Sequence, residues 1–220
     1  MTEITIAYVR DTSLLTDDLV SAYVAAQQIQ IDRDFSPHWG IGATCIFVRP
    51  GATVPPGAWQ VWFQDKTTLA GALGFHTDDG FPKSYVFVKD CLDDGLAWTV
   101  TASHETLEML ADPTINLTRD ADGFTYALEV CDAPEDDSYA YPVNGIHMSD
   151  FVLPSWFDPN GSAPFTFRNT ISKPLTLAPG GYIGRRQGDG PWSQVMADGR
   201  IGRRAVKGPS SRTKRRFNGA

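Results

Sequence analysis

The chain has 220 residues, 42% hydrophobic and 20% charged, which is enough apolar side chain for a core and excludes a wholly disordered protein. Its 20 glycines and 15 prolines follow no collagen period, and no apolar run reaches the ~18 residues of a membrane-spanning helix. The net charge of −7 is uneven: residues 199–220 hold 8 of the 19 Lys and Arg and no acid, which leaves residues 1–198 at −15 and excludes a basic nucleic-acid-binding core.

The elements follow in chain order. Met1–Thr12 carries an early acid and lacks the basic flank and long apolar block of a secretory signal. Within it, Ile4–Val9 reads as a β-branched strand. Thr16 then caps a helix, with Asp17 and Asp18 in its first turn and Leu19, Tyr23, Ala26 and Ile29 as its apolar stripe. A loop with Pro37 and Gly40 follows. Strands are expected at Ala43–Val48, Ala58–Gln64, Leu69–Thr77 (weakened by two glycines) and Tyr85–Val88, with a turn at Asp79-Gly80 before the last. His76, near the end of its strand, reads as a surface or capping residue.

A helix from about Asp94 to Asp112 comes next, stopped by Pro113. Ile115–Thr118 and Phe124–Val130 flank a hairpin turn. The spacing from Thr118 through Asp120 and Asp122 to Glu129 approximates a calcium loop. Thr stands at the first ligand position and strands flank it, so the hairpin is the expectation. Pro134–Phe157 is irregular and aromatic, Pro159–Gly190 is rich in glycine and proline, and the last residues read as extended or disordered. Cys45, Cys91 and Cys131 lack paired spacing and favour a reducing compartment.

One helix carries chemistry. His104 and Glu108 lie one turn apart on a single face, and Glu105 sits beside them. Two ligands at that spacing supply half of a tetrahedral metal site, and the neighbouring carboxylate can work on a water. The alternative is a solvated helix face. Against scatter, the chain has 5 glutamates, and 4 of them fall between Glu105 and Glu135. Asp112, just before Pro113, reads as a helix-end residue. Glu129 follows 21 residues after Glu108, and Asp132 sits at the expected strand end. Either can be a third ligand, the other holding His104 by its second ring nitrogen. Cys131 and His147 remain further options.

The segment His104-Glu105-Thr106-Leu107-Glu108 resembles the H-E-x-x-H helix of the zincin metallopeptidases, with glutamate at the second histidine position. The element order over residues 3–135 is similar too: strand, long helix, strands including an antiparallel edge strand, then the active-site helix. The resemblance implies an α+β fold with a zincin-like twisted mixed sheet. It implies a domain over 1–137 with an irregular extension over 138–198 packed on it; the basic composition of 199–220 reads separately as a flexible tail, and removing 203–220 is expected to leave folding intact. The resemblance also implies a Zn2+-dependent peptidase, with His104, Glu108 and Glu129 or Asp132 at the metal and Glu105 as general base. A peptide or protein substrate would then lie along Leu69–Thr77, whose glycines would let its backbone approach closely. A non-catalytic protein on the same scaffold, such as a virus-particle component, is the rival. The expected location is cytoplasmic or virion-associated, with the tail free to meet an acidic partner.

Overall fold

The computed structural model describes residues 4–67, 72–78, 80–203 and 210–213. The first apolar run forms strand β1 (Thr5–Asp11), which pairs in parallel with both β2 (Thr44–Val48) and β3 (Trp59–Gln64). A strand inside a parallel set is covered on both faces, which explains its unbroken apolar stretch. Ile6 and Tyr8 face the main core, while Ala7 and Val9 join Val48 and Ala58 on the other side.

β4 (Ala72–Thr77) and β5 (Lys83–Phe87) complete the expected strands. β5 pairs in parallel with β3, and β4 runs antiparallel to β5. Residues 69–71 of the expected strand and 79 of the expected turn lie outside the described residues. The sheet is mixed and the fold α+β.

Helix α1 (Asp17–Ile29) starts as read: the Thr16 side chain accepts a hydrogen bond from the Leu19 amide at 3.2 Å. Tyr23 and Ala26 of its expected stripe are buried, but the stripe is shifted at Leu19. Leu19 is 49% exposed, and Val20, Tyr23, Val24 and Gln27 face inward with helical spacing. Counting from the Thr16 cap, Leu19 falls on the outer side. The helical path continues through a π-helical turn (Gln30–Phe35) into α2 (Ser36–Trp39), where a loop is expected. Pro37 sits in the first turn of α2, where its missing N–H costs little.

The helix expected from about Asp94 to Asp112 starts later, and a separate short helix precedes it. α3 (Val88–Asp93) begins directly after β5, Gly95 breaks the path with φ 71, and α4 is Trp98–Ala111. Trp98 closes an aromatic cluster with Tyr23 and Phe63, both rings at 5.3 Å, that seats α4 and α1 on one face of the sheet.

β6 (Thr118–Ala121) and β7 (Phe124–Ala127) form the expected hairpin, but β7 ends at Ala127 rather than Val130. Three regions read as irregular hold further strands. β8 (Tyr141–Val143) and β9 (Ile146–Met148) make a hairpin around Asn144-Gly145. β10 (Tyr182–Arg186), β11 (Ser193–Met196) and β12 (Ile201–Arg203) extend the β6–β7 pair into a second sheet. β13 (Ser210–Thr213) pairs antiparallel with β4, at the edge of the first sheet. Of the tail expected to be flexible over 199–220, Ile201–Arg203 and Ser210–Thr213 are strands, and residues 204–209 and 214–220 lie outside the described residues.

One cluster of buried side chains reaches from Ile6 to Ile183. Trp156 is fully buried within it, and its indole N–H donates to the Thr176 carbonyl at 2.8 Å, tying the Gly- and Pro-rich stretch to the core. Among the described residues no helix is long and apolar enough to cross a membrane.

Candidate metal centre

α4 is buried from Val100 to Ala111, polar residues included. A helix wrapped in protein is normally apolar all round, yet this one keeps Thr101, Ser103, His104, Glu105, Thr106 and Glu108 inside. Some are satisfied nearby. The Thr106 hydroxyl donates to the Ala102 carbonyl at 2.7 Å, and Ser103 Oγ accepts from the Ser149 amide at 2.6 Å. His104, Glu105 and Glu108 are 1%, 0% and 0% exposed, so this is no solvated helix face.

β4 forms the opposite wall. Gly74 and His76 share the strand face turned to α4, because side chains alternate along a strand. A Cβ at Gly74 would stand 2.9 Å from Glu105 Cγ, Thr101 Cγ2 and the Tyr85 carbonyl. The glycine therefore serves the approach of the chain's own helix, not that of a substrate backbone. His76 is fully buried, which corrects its reading as a surface or capping residue. Its Nδ1 lies 3.5 Å from Glu105 Oε2 and 3.8 Å from Glu108 Oε2, and its Nε2 lies 3.9 Å from Glu129 Oε2.

The third wall is the turn after β7, which carries Glu129 and Asp132; the expected strand had placed Glu129 within it and Asp132 at its end. His104 Nε2 is 3.2 Å from Glu108 Oε2 and 3.4 Å from Asp132 Oδ1. The Cys131 amide donates to Glu108 Oε1 at 3.2 Å, which locks the turn to the helix. The turn is held from behind by the Tyr182 amide, which donates to the Asp132 carbonyl at 3.0 Å.

Elsewhere in the core, Asp150 and the Gln27–Gln30 pair show buried polar groups that find partners. Asp150 accepts from the Phe151 amide at 2.8 Å, the Arg168 amide at 3.0 Å and the Thr170 hydroxyl at 2.8 Å. Gln27 and Gln30 relay hydrogen bonds from Tyr23 to Tyr141, whose hydroxyl donates to Asp34 at 2.9 Å. At α4 the pattern reverses. Both ring nitrogens of His76 and His104, and both carboxylate oxygens of Glu105 and Asp132, are buried without a hydrogen bond among the described residues. An unpaired buried polar group costs about 1–3 kcal/mol, more when charged. A set of imidazole nitrogens and carboxylate oxygens turned on one small volume is the donor set of a divalent cation. His104, Glu108 and Cys131 offer ligand atoms within 4.8 Å of one another, as do His76, Glu108 and Glu129, so these buried groups could hold a metal ion.

The protonation of the cluster follows from crowding. Burial pushes the His76 imidazole down, but Glu105, Glu129 and Glu108 outweigh it and raise it to about 9. Burial opposes the charged form of His104 too, and Glu108 and Asp132 override it and hold it well above the usual imidazole range. Burial, with the charge of Asp132, raises the Glu108 carboxyl to about 8, against the pull of His104. The Cys131 thiol is pushed well up, first by burial and then by Glu108.

The structure thus brings together His104, Glu105, Glu108, Glu129, Asp132 and Cys131. It does not bring in His147, which is exposed on β9 with its carbonyl accepting from Thr99. Asp112 ends α4, its carboxylate accepting from the Asn116 and Leu117 amides at 3.0 and 3.1 Å. The Asp120 carboxylate accepts from Thr125 across the hairpin, as a turn-flanking residue does. The outer edge of β4, read as the lane of an extended substrate, is paired with β13 from Ser210 opposite His76 to Thr213 opposite Ala72. No family model matches the chain, and neither a curated protein nor a solved structure matches it.

Proposed function

We propose that the chain is a zincin-like, metal-dependent hydrolase of peptide bonds, with His104 and Glu108 at a zinc ion and Glu105 as general base. The observation that carries this reading is the gathering of water-excluded, unpaired imidazole and carboxylate atoms between α4 and β4. The parallel strands, the antiparallel β4 and the buried helix beside it support it further. A divalent cation at such a site polarises a scissile carbonyl and brings the pKa of water toward ~7. The residues supply the rest. Glu105 takes the water's proton and returns it to the leaving amine. Asp132, 3.4 Å from His104 Nε2, orients the imidazole or adds a ligand. β4 offers backbone hydrogen bonds to an extended peptide, and its pairing with β13 illustrates that mode of contact.

Full burial of the cluster favours a second reading, in which a metal staples β4, α4 and the turn of a non-catalytic scaffold such as a virus-particle component. Metal content and peptide cleavage, measured on protein purified without added zinc, separate the two. Near-stoichiometric metal whose removal abolishes cleavage supports the hydrolase. Metal without cleavage supports the staple, and no metal after loading rejects both.

Two predictions follow from this site. His76, raised to about 9, Glu108, raised to about 8, and His104, held well above the usual imidazole range, keep protons in the metal-free chain that a cation must displace. Metal uptake is therefore expected to release protons and to tighten as pH rises toward about 9. Calorimetry in buffers of different ionisation heat reads this directly, and uptake without proton release would contradict it. Deleting residues 204–220 removes β13 and bares the β4 edge. The melting temperature is expected to fall by no more than about 4 °C, while cleavage of an unstructured peptide rises. A larger fall would make the tail part of the fold.

A further inference from the structure

The reading as a single-metal site leaves His76 without a task. Its imidazole is fully buried, neither ring nitrogen makes a hydrogen bond among the described residues, and it faces three glutamates. We propose that the chain binds two divalent cations bridged by Glu108, the second held by His76, Glu108 and Glu129.

The donors divide into two sets that share only Glu108: His104, Glu108 and Cys131 on one side, His76, Glu108 and Glu129 on the other. Ligands of one ion at bonds of ~2.1 Å stand roughly 3–4.2 Å apart. Glu108 Oε2 meets that condition with both imidazoles, at 3.2 Å from His104 Nε2 and 3.8 Å from His76 Nδ1. The two imidazoles fall in separate sets, so each marks its own ion. A carboxylate within ligand spacing of two imidazoles on separate elements is placed to bridge.

Charge points the same way. Glu105, Glu108, Glu129 and Asp132 are all buried. As carboxylates they carry four negative charges, and buried charge is costly unless it is offset. One divalent cation offsets half of it, and two offset it in full with both histidines neutral. Paired imidazoles with bridging carboxylates also make up the ligand shells of dinuclear iron and manganese carboxylate centres. Here a strand, a helix and a turn deliver it instead of four helices. The set is hard-leaning and suits Mn2+, Fe2+ or Zn2+. Two-metal sites with ions ~3.5–4 Å apart clamp both the attacking and the leaving oxygen of a displacement. The inference deepens the metal-site reading and rests on it.

The test is metal stoichiometry on the full, tag-free chain loaded with Mn2+ and dialysed, together with its electron paramagnetic resonance spectrum. The wild type is expected to hold two equivalents and to show an exchange-coupled signal. His76→Ala, with its fold checked by circular dichroism, is expected to hold one equivalent and to show an isolated-ion signal. One equivalent in the wild type, retained in His76→Ala, would overturn the second site while leaving the first intact. No bound metal in the wild type would remove both. Two equivalents unchanged in His76→Ala would place the second ion elsewhere and also overturn the proposal. If His76→Ala does not fold, an uncoupled signal from the wild type alone decides against it.

Discussion

If the proposed hydrolase reading holds, replacing His104 with alanine is expected to abolish metal binding at that site and hydrolysis together, whereas Glu105→Gln is expected to keep the metal and lose ~10²-fold or more in rate. The two residues are neighbours on α4 and equally buried, so position alone does not distinguish them. Their surroundings do. His104 Nε2 stands against Glu108 and Asp132 at 3.2 and 3.4 Å, the spacing of ligands around a shared ion. Glu105 points instead toward His76, 3.5 Å away. Gln keeps the length and one acceptor oxygen of Glu105 but cannot take a proton at neutral pH. Glu108→His creates a second imidazole one turn from His104 and, on the proposed reading, should still bind zinc. Metal content and peptide-cleavage rate on the four proteins check this. Unchanged metal content in His104→Ala would remove His104 from the ligands, and full activity in Glu105→Gln would remove the general base.

The second large effect is expected from two glycines that let backbone press on the site. At Gly74 an alanine methyl would meet two α4 side chains and the Tyr85 carbonyl at 2.9 Å. The carbonyl belongs to the neighbouring strand, so β4 or α4 must shift. Overpacking of this kind costs about 1–3 kcal/mol, and the shift falls on Glu105 itself. At Gly181 a methyl would enter the Ala133 carbonyl and approach the Asp132 carbonyl at 3.0 Å. There both obstacles are backbone, so the turn carrying Asp132 must shift out of its register with His104. Gly181→Ala is therefore expected to be the more damaging, with both stability and metal retention reduced. Denaturant unfolding with metal analysis measures this pair of effects. Wild-type stability in Gly181→Ala would show that the turn is not held against β10 as described.

Much of the sheet is legible in the sequence because its strands are short apolar runs cut off by proline and glycine, and Thr16 marks the helix start by its cap. The pairing of His104 with Glu108 is legible because helical spacing is fixed. What escapes depends on distant partners. The helical path through Pro37 relies on a π-helical turn that propensity does not foresee. The Asn144-Gly145 turn was readable as a hairpin signal, but the strands beside it are three residues each. β10 to β12 lie in glycine-rich sequence, and β10 owes its place to pairing with β7 rather than to its own pattern. His76 is the instructive case. Alternation along β4 puts it on the face of Gly74, but nothing local says that α4 covers that face. Glu129 reaches the cluster from a turn that begins because β7 ends at Ala127, three residues early.

The central claim is that His104 and Glu108 hold a metal, and the most direct measurement is an anomalous difference map from crystals of metal-loaded protein, recorded on both sides of the metal's absorption edge. The account predicts a peak ~2.0–2.3 Å from His104 Nε2 and from a Glu108 oxygen, present above the edge and absent below it. A map from loaded protein with no peak between α4, β4 and the turn carrying Asp132 would contradict it.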